Sequence, residues 1–203
     1  MTSPTPAFWQ ERFDKQETRW DRGAPSPQLM TWLDSGALAP CRVAVPGCGG
    51  GWEVAELARR GFEVTALDYT DAAVARTRAL CGAQGLRANV IQADVLAYTP
   101  EAPFDAVYEQ TCLCAIHPDH WTAYAARLHG WLQPGARLFA MFMQMVRPGA
   151  VQEGWIEGPP YHGDINAMRA LFPSSLWAWP KPPYAQVPHP IQSHELALVL
   201  ERL

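Results

Sequence analysis

The sequence contains no long hydrophobic run, no cluster of basic residues and few charged residues for its length. No apolar segment approaches the roughly 18 residues of a membrane-spanning helix, so we expect no membrane association. Charged residues make up 18% of the 203 residues, and a net charge of −4 without a basic run argues against a nucleic-acid partner. The first ten residues lack the basic and apolar regions of a signal peptide.

The cysteines do not form a pattern that indicates disulfides or a metal site. There are five, an odd number, scattered among apolar neighbours, which is typical of a reduced protein and predicts a cytoplasmic location. Cys112 and Cys114 form one C-x-C pair, but no second pair follows at zinc-finger spacing. The segment His117–Pro118–Asp119–His120 is typical of an ordinary helix start. We therefore expect no metal.

Prolines and tryptophans, in contrast, are abundant. The chain has 19 prolines and 9 tryptophans, and the prolines gather in residues 1–50 and 146–190, outside the periodic middle. The length suits one domain with a full core. We predict a single domain over residues 1–203, in which residues 1–40 form an N-terminal lid and residues 147–190 form a substrate-side insert.

The middle of the chain alternates short apolar runs with amphipathic segments. Strands are predicted at 43–46, 62–68, 89–92, 104–109 and 137–144, with helices at 52–60, 71–81 and 118–131. This alternation predicts βαβ units and a mostly parallel sheet with helices on both faces. Two later segments, 176–179 and 193–202, are predicted as antiparallel edge strands, which makes the sheet seven-stranded.

A glycine-rich turn, residues 47–51, follows the first predicted strand and precedes a helix. Glycines let the backbone approach a ligand, and the N–H groups of the helix then point at it. Asp68, at the end of the second strand, suits a ribose diol, with capping of the next helix as the structural alternative. Asp94 and the N–H group of Val95, after the third strand, suit an adenine edge. Together these strand ends predict a nucleoside site.

The turn does not match the dinucleotide or the triphosphate patterns. Trp52 occupies the third glycine position of the G-x-G-x-x-G fingerprint and is too large for close helix–strand packing. The turn also lacks the G-K-[ST] of a Walker loop. S-Adenosylmethionine (SAM) is therefore favoured, with a nicotinamide dinucleotide or a degenerate site as the alternatives.

Seven motifs are spread along nearly the whole chain: Trp9-x-x-x-Phe13 with Trp20–Asp21-x-Gly23-x-Pro25-x-Pro27, Val45–Pro46–Gly47–Cys48–Gly49–Gly50–Gly51, Leu67–Asp68, Ala93–Asp94–Val95, Phe104–Asp105-x-x-Tyr108–Glu109, Cys114–Ala115–Ile116-x-Pro118 and Gly158–Pro159–Pro160–Tyr161. Together they resemble the thiopurine S-methyltransferase superfamily, most closely its thiol, halide and thiocyanate methyltransferase branch. The resemblance implies a Rossmann-like class I methyltransferase that converts SAM to S-adenosylhomocysteine.

The resemblance also implies roles for individual residues. Those expected at the cofactor are Trp9, Phe13 and Trp20 of the lid, the turn Gly47–Cys48–Gly49, then Asp68, Asp94, Val95 and Gln110. Without the resemblance, the spacing of the three lid aromatics would indicate core packing. Tyr161 and His162 are expected on the acceptor side, where they would orient or deprotonate a substrate. Trp121 stands where relatives commonly have Arg, which argues against a thiopurine and favours an apolar or aromatic thiol or a simple anion.

The reaction implied by the resemblance is an in-line displacement at the methyl carbon of the sulfonium. A thiol is already partly thiolate at neutral pH, and an anion needs no base, so we expect no obligatory general base. The resulting hypothesis is a monomeric SAM-dependent S-methyltransferase of a small thiol, with halide, thiocyanate and chalcogen anions as further acceptors. Methylation at nitrogen or oxygen of a small heterocyclic metabolite, and a non-catalytic SAM-binding protein, are the alternatives.

Overall fold

The computed structural model describes residues 4–148 and 156–203. The helices in this part of the chain are α1 (Pro6–Asp14), α2 (Pro27–Asp34), α3 (Trp52–Arg59), α4 (Asp71–Ala83), α5 (Trp121–Trp131) and α6 (Ile165–Leu171). The strands are β1 (Arg42–Pro46), β2 (Glu63–Asp68), β3 (Asn89–Gln92), β4 (Phe104–Gln110), β5 (Leu132–Gln144), β6 (Trp177–Ala178), β7 (Ala185–His189) and β8 (Ser193–Arg202). The predicted lid and insert each include residues outside the described ranges, 1–3 and 149–155 respectively.

The strands form one mixed sheet in the order β3-β2-β1-β4-β5-β8-β6, and β7 also pairs with β8. Pairing is parallel from β3 through β5, whereas β8 runs antiparallel to β5, β6 and β7. The predicted fold class, a mostly parallel sheet with an antiparallel C-terminal edge, is confirmed. In such a sheet the carboxyl ends of the parallel strands meet along one rim, where α/β proteins bind their ligands.

The strand count and one edge assignment were wrong. In the part of the chain that the structure describes, the sheet has eight strands, because β6 and β7 both pair with β8, along the edge that β5 leaves open. β8 is therefore an inner strand. No strand was predicted at β7 because Pro188 lies within it, and proline cannot donate to a ladder; it is tolerated here because β7 is an edge strand.

Alternation along the strands divides the core into two layers. In β1, for example, Val43 and Val45 pack with α2, α3 and α4, whereas Ala44 belongs to the layer of α5 and α6. A strand buried on both faces reads as a continuous apolar run, which is why β1 could be predicted. The predicted placement of helices on both faces of the sheet is confirmed.

Helix starts follow the side chains that cap them. The Ser26 hydroxyl accepts a hydrogen bond from the Gln28 N–H at the start of α2. Thr70, not Asp68, caps α4, since its hydroxyl accepts from the N–H of Ala73. The helix predicted from Pro118 begins as a 3-10 turn, and its α-helical part starts at Trp121. Among the described helices, none has both the length and the apolar character needed to cross a membrane.

Candidate active site

A cavity of about 900 Å³ opens at the carboxyl ends of the parallel strands. This volume lies within the range of small-molecule sites. The strand ends and the loops after them contribute Gly47, Gly49, Asp68, Tyr69, Asp94, Val95, Thr111, Cys112, Met143 and Met145, and the N-terminal segment contributes Trp9, Phe13 and Trp20. Most of the residues predicted to contact a nucleoside cofactor thus line a single cavity.

The glycine turn is fixed by close packing as well as by its backbone angles. Gly47 has a φ of 62°, and a Cβ atom there would lie 2.9 Å from the Cβ of Cys112. A side chain at this position would therefore clash with the loop after β4. Cys48 points away from the large cavity, is 7% exposed and has its Sγ 3.5 Å from the Thr77 hydroxyl. Burial raises the pKa of the Cys48 thiol to about 12, so it stays protonated.

Asp68 holds the turn and lines the cavity. Its Oδ2 accepts a 3.1 Å hydrogen bond from the N–H of Gly49, and its Oδ1 accepts from the N–H and the hydroxyl of Thr70. Burial raises the pKa of this carboxyl, although these hydrogen bonds oppose the shift. Asp68 therefore joins the ends of β1 and β2, and its carboxyl is available to a ligand in the cavity.

Asp94 and Val95 lie at the end of β3, at the same rim of the sheet. The Asp94 carboxylate accepts a 2.9 Å hydrogen bond from the N–H of Leu96, which folds the segment into a tight turn. Asp94 is exposed, whereas Val95 is buried, and both line the cavity. Tyr69 also lines the cavity and was not predicted, although its place directly after Asp68 is a strand-end position like those that were.

The loop after β4 places Thr111, and not Gln110, at the cavity. Thr111 has a φ of 60°, which is strained for a β-branched residue. The Gln110 side chain turns away, accepting from the Tyr108 hydroxyl at 2.6 Å and donating to Glu195 at 2.8 Å. With Cys48 it lines a smaller adjacent cavity of about 60 Å³. Contact between Gln110 and a ligand in the large cavity is therefore indirect.

The three predicted lid aromatics form one cluster over the cavity. Trp20 packs edge-on against Trp9, with ring centroids 5.3 Å apart, and against Phe13, at 5.9 Å. Helix α4 holds this segment, because Arg76 donates a 3.0 Å hydrogen bond to the carbonyl of Phe13 and lies over its ring. Gln10 adds a second link by accepting from the N–H of Ala72.

The far end of the cavity, from β4 to β7, has different chemistry. We call this the acceptor end; the residues that line it are Thr111, Cys112, Cys114, Ala115, Ile116, His120, Met143, Met145, Arg147, Pro159, Pro160, His189 and Ile191. Most of these residues contribute thioether, thiol or aliphatic groups, joined by one hydroxyl, one guanidinium and two imidazoles. Arg147 donates a 3.0 Å hydrogen bond to the carbonyl of Pro159. None of these lining residues is a carboxylate.

Tyr161 and His162 do not line the cavity. Tyr161 is 3% exposed, its N–H donates to the Cys114 carbonyl at 2.8 Å, and its ring packs edge-on against His117. A Cβ atom on Gly158 would lie 2.4 Å from the Tyr161 ring, which explains the glycine of the G-P-P-Y motif. Tyr161 therefore supports the loop whose prolines, Pro159 and Pro160, reach the cavity.

Trp121 fills the position where an arginine was expected from the resemblance. Its indole N–H lies 2.9 Å from the carbonyl oxygens of both Leu113 and Ile116 and donates to them. Trp121 thus fixes the turn between β4 and α5 from behind and does not line the cavity.

His189 and Arg147 are two further lining residues that were not predicted from the sequence. Neither belongs to a motif, and His189 is the last residue of β7, the strand that was not predicted. Recognising the alternation of buried residues in β7 would have pointed to His189. Across residues 4–148 and 156–203, the structure has no cluster of three or more His, Cys, Asp or Glu side chains suited to a metal ion.

Comparison with known proteins shows which family the chain belongs to. The model of the thiopurine S-methyltransferase family matches residues 4–179. The chain belongs to this family. Its members use SAM, and the chain is accordingly a SAM-dependent methyltransferase, as the sequence predicted.

Relatives within the family include plant and bacterial enzymes. Thiocyanate methyltransferase 1 of Arabidopsis thaliana is 27% identical over 165 residues, 80% of this chain and 70% of that protein. Probable thiol methyltransferase 2 of the same plant is 29% identical over 171 residues, 82% of this chain and 71% of the other. Thiopurine S-methyltransferase of Pseudomonas putida (strain GB-1) is 27% identical over 186 residues, covering 82% of each.

A solved structure confirms the fold. The 1,6-didemethyltoxoflavin-N1-methyltransferase of Burkholderia thailandensis, solved with 1,6-didemethyltoxoflavin and S-adenosylhomocysteine bound, superposes with a TM-score of 0.78. It is 20% identical, and the match covers 97% of this chain and 86% of the other. At this identity the likeness establishes the class I methyltransferase fold and leaves the acceptor undefined.

Proposed function

We propose that this enzyme transfers the methyl group of SAM to the sulfur of a small thiol, and to thiocyanate, halide and chalcogen anions. The observation that carries the proposal is the composition of the acceptor end. Its described lining residues offer thioether, thiol, hydroxyl, aliphatic, guanidinium and imidazole groups but no carboxylate, whereas the carboxylates that line the cavity elsewhere are Glu17, Asp68 and Asp94. A carboxylate would serve as the base for a neutral nitrogen or oxygen acceptor, whereas a soft anion needs none.

The residues present fit SAM, and we assign them to its parts. Asp68 holds the ribose, and the turn at Asp94 and Val95 receives the adenine, because these residues end β2 and β3. Gly47 and Gly49 have no side chains, so the methionine part of SAM can approach the backbone of the turn closely. Trp9, Phe13 and Trp20 cover the ligand, while Cys48 and Gln110 support the floor of the site from behind.

Catalysis in this arrangement depends on position and on exclusion of water. When bound, SAM supplies a methyl group on a sulfonium, an electrophile with a good leaving group. The aromatic lid and the buried strand ends keep water from the reacting atoms. The acceptor end must then hold a nucleophile within about 3–3.5 Å of the methyl carbon and in line with the bond that breaks.

The absence of an arginine at position 121 refines the choice of acceptor. Trp121 carries no charge, and its only polar group, the indole N–H, donates to two backbone carbonyls and is not available to a heterocycle. Arg147 is tied to the loop that contains Pro159. We therefore propose that apolar or aromatic thiols and small anions are better acceptors than thiopurines.

The test is a direct assay of S-adenosylhomocysteine formation with a panel of acceptors. The panel contains thiophenol, hydrosulfide, thiocyanate, iodide, tellurite, 6-mercaptopurine and a sulfur-free N-heterocycle, each measured against a blank without acceptor. We expect turnover with thiophenol, hydrosulfide and thiocyanate, and at least tenfold lower kcat/KM with 6-mercaptopurine. Turnover only with the N-heterocycle would establish the nitrogen methyltransferase instead. SAM binding by calorimetry with no turnover on any acceptor would indicate a non-catalytic SAM-binding protein.

A further inference from the structure

His189 is a buried imidazole without a hydrogen-bond partner in the described part of the chain. It is the last residue of β7, is 5% exposed and lines the large cavity. Both ring nitrogens are buried, and neither has a partner among residues 4–148 and 156–203. A buried polar side chain normally has at least one partner. Because His189 lines the cavity, a ligand bound there can supply the partner that the protein does not.

The order of the strands places His189 at the acceptor end. The residues that we assign to adenosine end β2 and β3, on one side of β1 and β4. His189 ends β7, which lies beyond β5 and β8 on the other side, and it pairs with Ser193 at the start of β8. Ile191, in the turn between these strands, and Met143 of β5 line the same end. His189 is thus on the side of the site opposite to adenosine.

The groups around His189 keep its ring neutral. Arg22, from the N-terminal segment, donates to the carbonyl of Pro188, next to His189. Burial, with a smaller contribution from the Arg22 charge, lowers the pKa of His189 to about 4. Glu195 of β8 is near the Arg22 guanidinium, at 3.7 Å, and burial raises the pKa of that carboxyl to about 8. Arg147 and His120 are further charged or titratable groups that line the same cavity.

A neutral imidazole in this position is a hydrogen-bond donor and a poor base. It carries one N–H group, and a group of such low basicity cannot take the proton of an ordinary thiol, whose pKa is about 8.5. An acceptor that met His189 as a neutral thiol would therefore keep its proton. An acceptor that arrives as an anion accepts a hydrogen bond from the N–H group and is also attracted by the nearby guanidinium of Arg22.

We propose that His189 selects and orients the ionised acceptor by donating an N–H hydrogen bond to its nucleophilic atom. The substrate class is a soft anion, namely a thiolate, hydrosulfide or thiocyanate, and a neutral thiol is not used. The thiol proton is lost to solvent before binding, so the transfer forms one carbon–sulfur bond, breaks another and moves no proton within the site. This inference rests on the proposed function and adds to it the residue that recognises the acceptor.

The experiment compares two substitutions at His189 with a matched control. His189→Leu removes the N–H donor, and His189→Gln retains one. His129→Leu is the control, because His129 is also a partly buried imidazole with an unpartnered Nε2 in the described structure, packed on Trp177 away from the cavity. The folded state and SAM affinity of each variant are checked by thermal unfolding and calorimetry.

Two measurements decide the outcome. In calorimetry of the S-adenosylhomocysteine complex, we expect His189→Leu to weaken thiocyanate binding by about 10- to 100-fold, as loss of a hydrogen bond to a charged group implies, with His189→Gln close to wild type. In the methyl-transfer assay, we expect kcat/KM of His189→Leu to fall for thiocyanate and for thiophenol alike. The wild-type kcat/KM should rise with pH for a thiol of ordinary pKa until that pKa is passed, and should stay flat for thiocyanate.

Several results would overturn the inference. If His189→Leu lost activity with a thiol but kept activity and affinity with thiocyanate, His189 would be a proton acceptor. If the variant bound thiocyanate and turned over like wild type, His189 would be a structural residue. If the wild-type enzyme bound SAM but methylated no sulfur or anion acceptor, the proposed function would fail, and this inference with it. If the wild-type enzyme were active and His189→Leu were equally active, only the inference about His189 would fail.

Discussion

The indole Nε1 of Trp52 donates a 2.8 Å hydrogen bond to Oδ1 of Asp21. The same oxygen accepts a hydrogen bond from the N–H of Gly23. The other oxygen, Oδ2, lies so close to Gly50 that a Cβ atom there would be only 2.6 Å from it. Asp21, next to Trp20 of the predicted lid, is therefore held directly against the glycine turn. The tryptophan that argued against a dinucleotide is the residue that joins the lid to the floor of the site.

Replacing Trp52 by Phe should loosen this junction. The substitution leaves an aromatic ring but removes the donor, so Asp21 loses a partly buried, charge-assisted hydrogen bond. We expect the free energy of unfolding to fall by about 1–2 kcal/mol and SAM to bind several-fold more weakly. Urea unfolding and calorimetry measure the two effects.

Trp179→Phe is the matched control for this prediction. The Nε1 of Trp179 also donates to an acceptor within the protein, the carbonyl of Phe172 at 2.7 Å, but this bond involves neither the N-terminal segment nor the glycine turn. It should lose comparable stability and keep wild-type SAM affinity. Equal losses of SAM affinity in both variants would show that the effect of Trp52→Phe is global.

Arg76→Ala should release the lid from α4. Arg76 donates to the carbonyl of Phe13 and lies 5.2 Å from the centre of its ring, so the variant loses both a hydrogen bond and a cation–π contact. We expect the KM for SAM to rise about three- to tenfold, since these contacts are worth about 1 kcal/mol together. The control is Arg78→Ala on the same helix, which loses a similar bond to the carbonyl of Val90. A KM that rises equally in both variants would contradict a specific role for the lid contact.

A feature of this structure could be predicted from the sequence where it depends on residues that are close together in the chain. The parallel strands and the strand-end positions of Asp68 and Asp94 could be predicted because a strand buried on both faces is a continuous apolar run. The cavity lining at these strand ends follows from the topology. The observed ends of the helices and strands differ from the predicted ones mostly by one or two residues, although β5 begins at Leu132 and was predicted to begin at residue 137.

The features that escaped prediction depend on contacts between distant segments. The proline in β7 hid that strand, and with it the place of His189. The orientation of Gln110 is decided by Glu195, which is 85 residues away in the chain. Tyr161 matched a substrate-side motif, but packing against Gly158 and His117 turned its side chain away from the cavity.

Asp68→Ala tests the assignment of the ribose. The variant removes the carboxylate and also leaves the N–H of Gly49 without its acceptor, so both affinity and stability should fall. We expect SAM to bind at least tenfold more weakly, because a hydrogen bond to a charged group contributes about 1.5–3 kcal/mol. Asp105→Ala is the control, since Asp105 also accepts from a backbone N–H, that of Arg42, and lies outside the cavity. A wild-type dissociation constant for SAM in Asp68→Ala would refute the assignment.

The buried carboxyl of Glu195 makes a prediction about the dependence of stability on pH. Its Oε2 accepts from Gln110, and its Oε1 has no partner within the described residues. Burial raises the pKa of Glu195 to about 8, and this outweighs the attraction of Arg22. The unfolded chain has an ordinary glutamate pKa near 4.3, so between about pH 4.5 and 8 the folded state binds more protons. The contribution of Glu195 to the free energy of unfolding should therefore fall as the pH rises through this window, and above about pH 6.5 the lowered pKa of His189 no longer opposes it.

The variant Glu195→Gln should remove the part of the slope that lies between about pH 7 and 8, roughly 1 kcal/mol per pH unit. In this interval Glu109, whose pKa burial raises to about 7, passes from half ionised to mostly ionised and adds a smaller slope, which Glu195→Gln leaves in place. His189, whose pKa is about 4, is neutral in the folded state throughout the interval. The control Glu201→Gln, on the exposed end of β8, should keep the wild-type slope. Urea unfolding at several pH values measures all three proteins. A wild-type stability that stays flat from pH 6.5 to 8 would show instead that Glu195 is ionised in the fold and paired with Arg22.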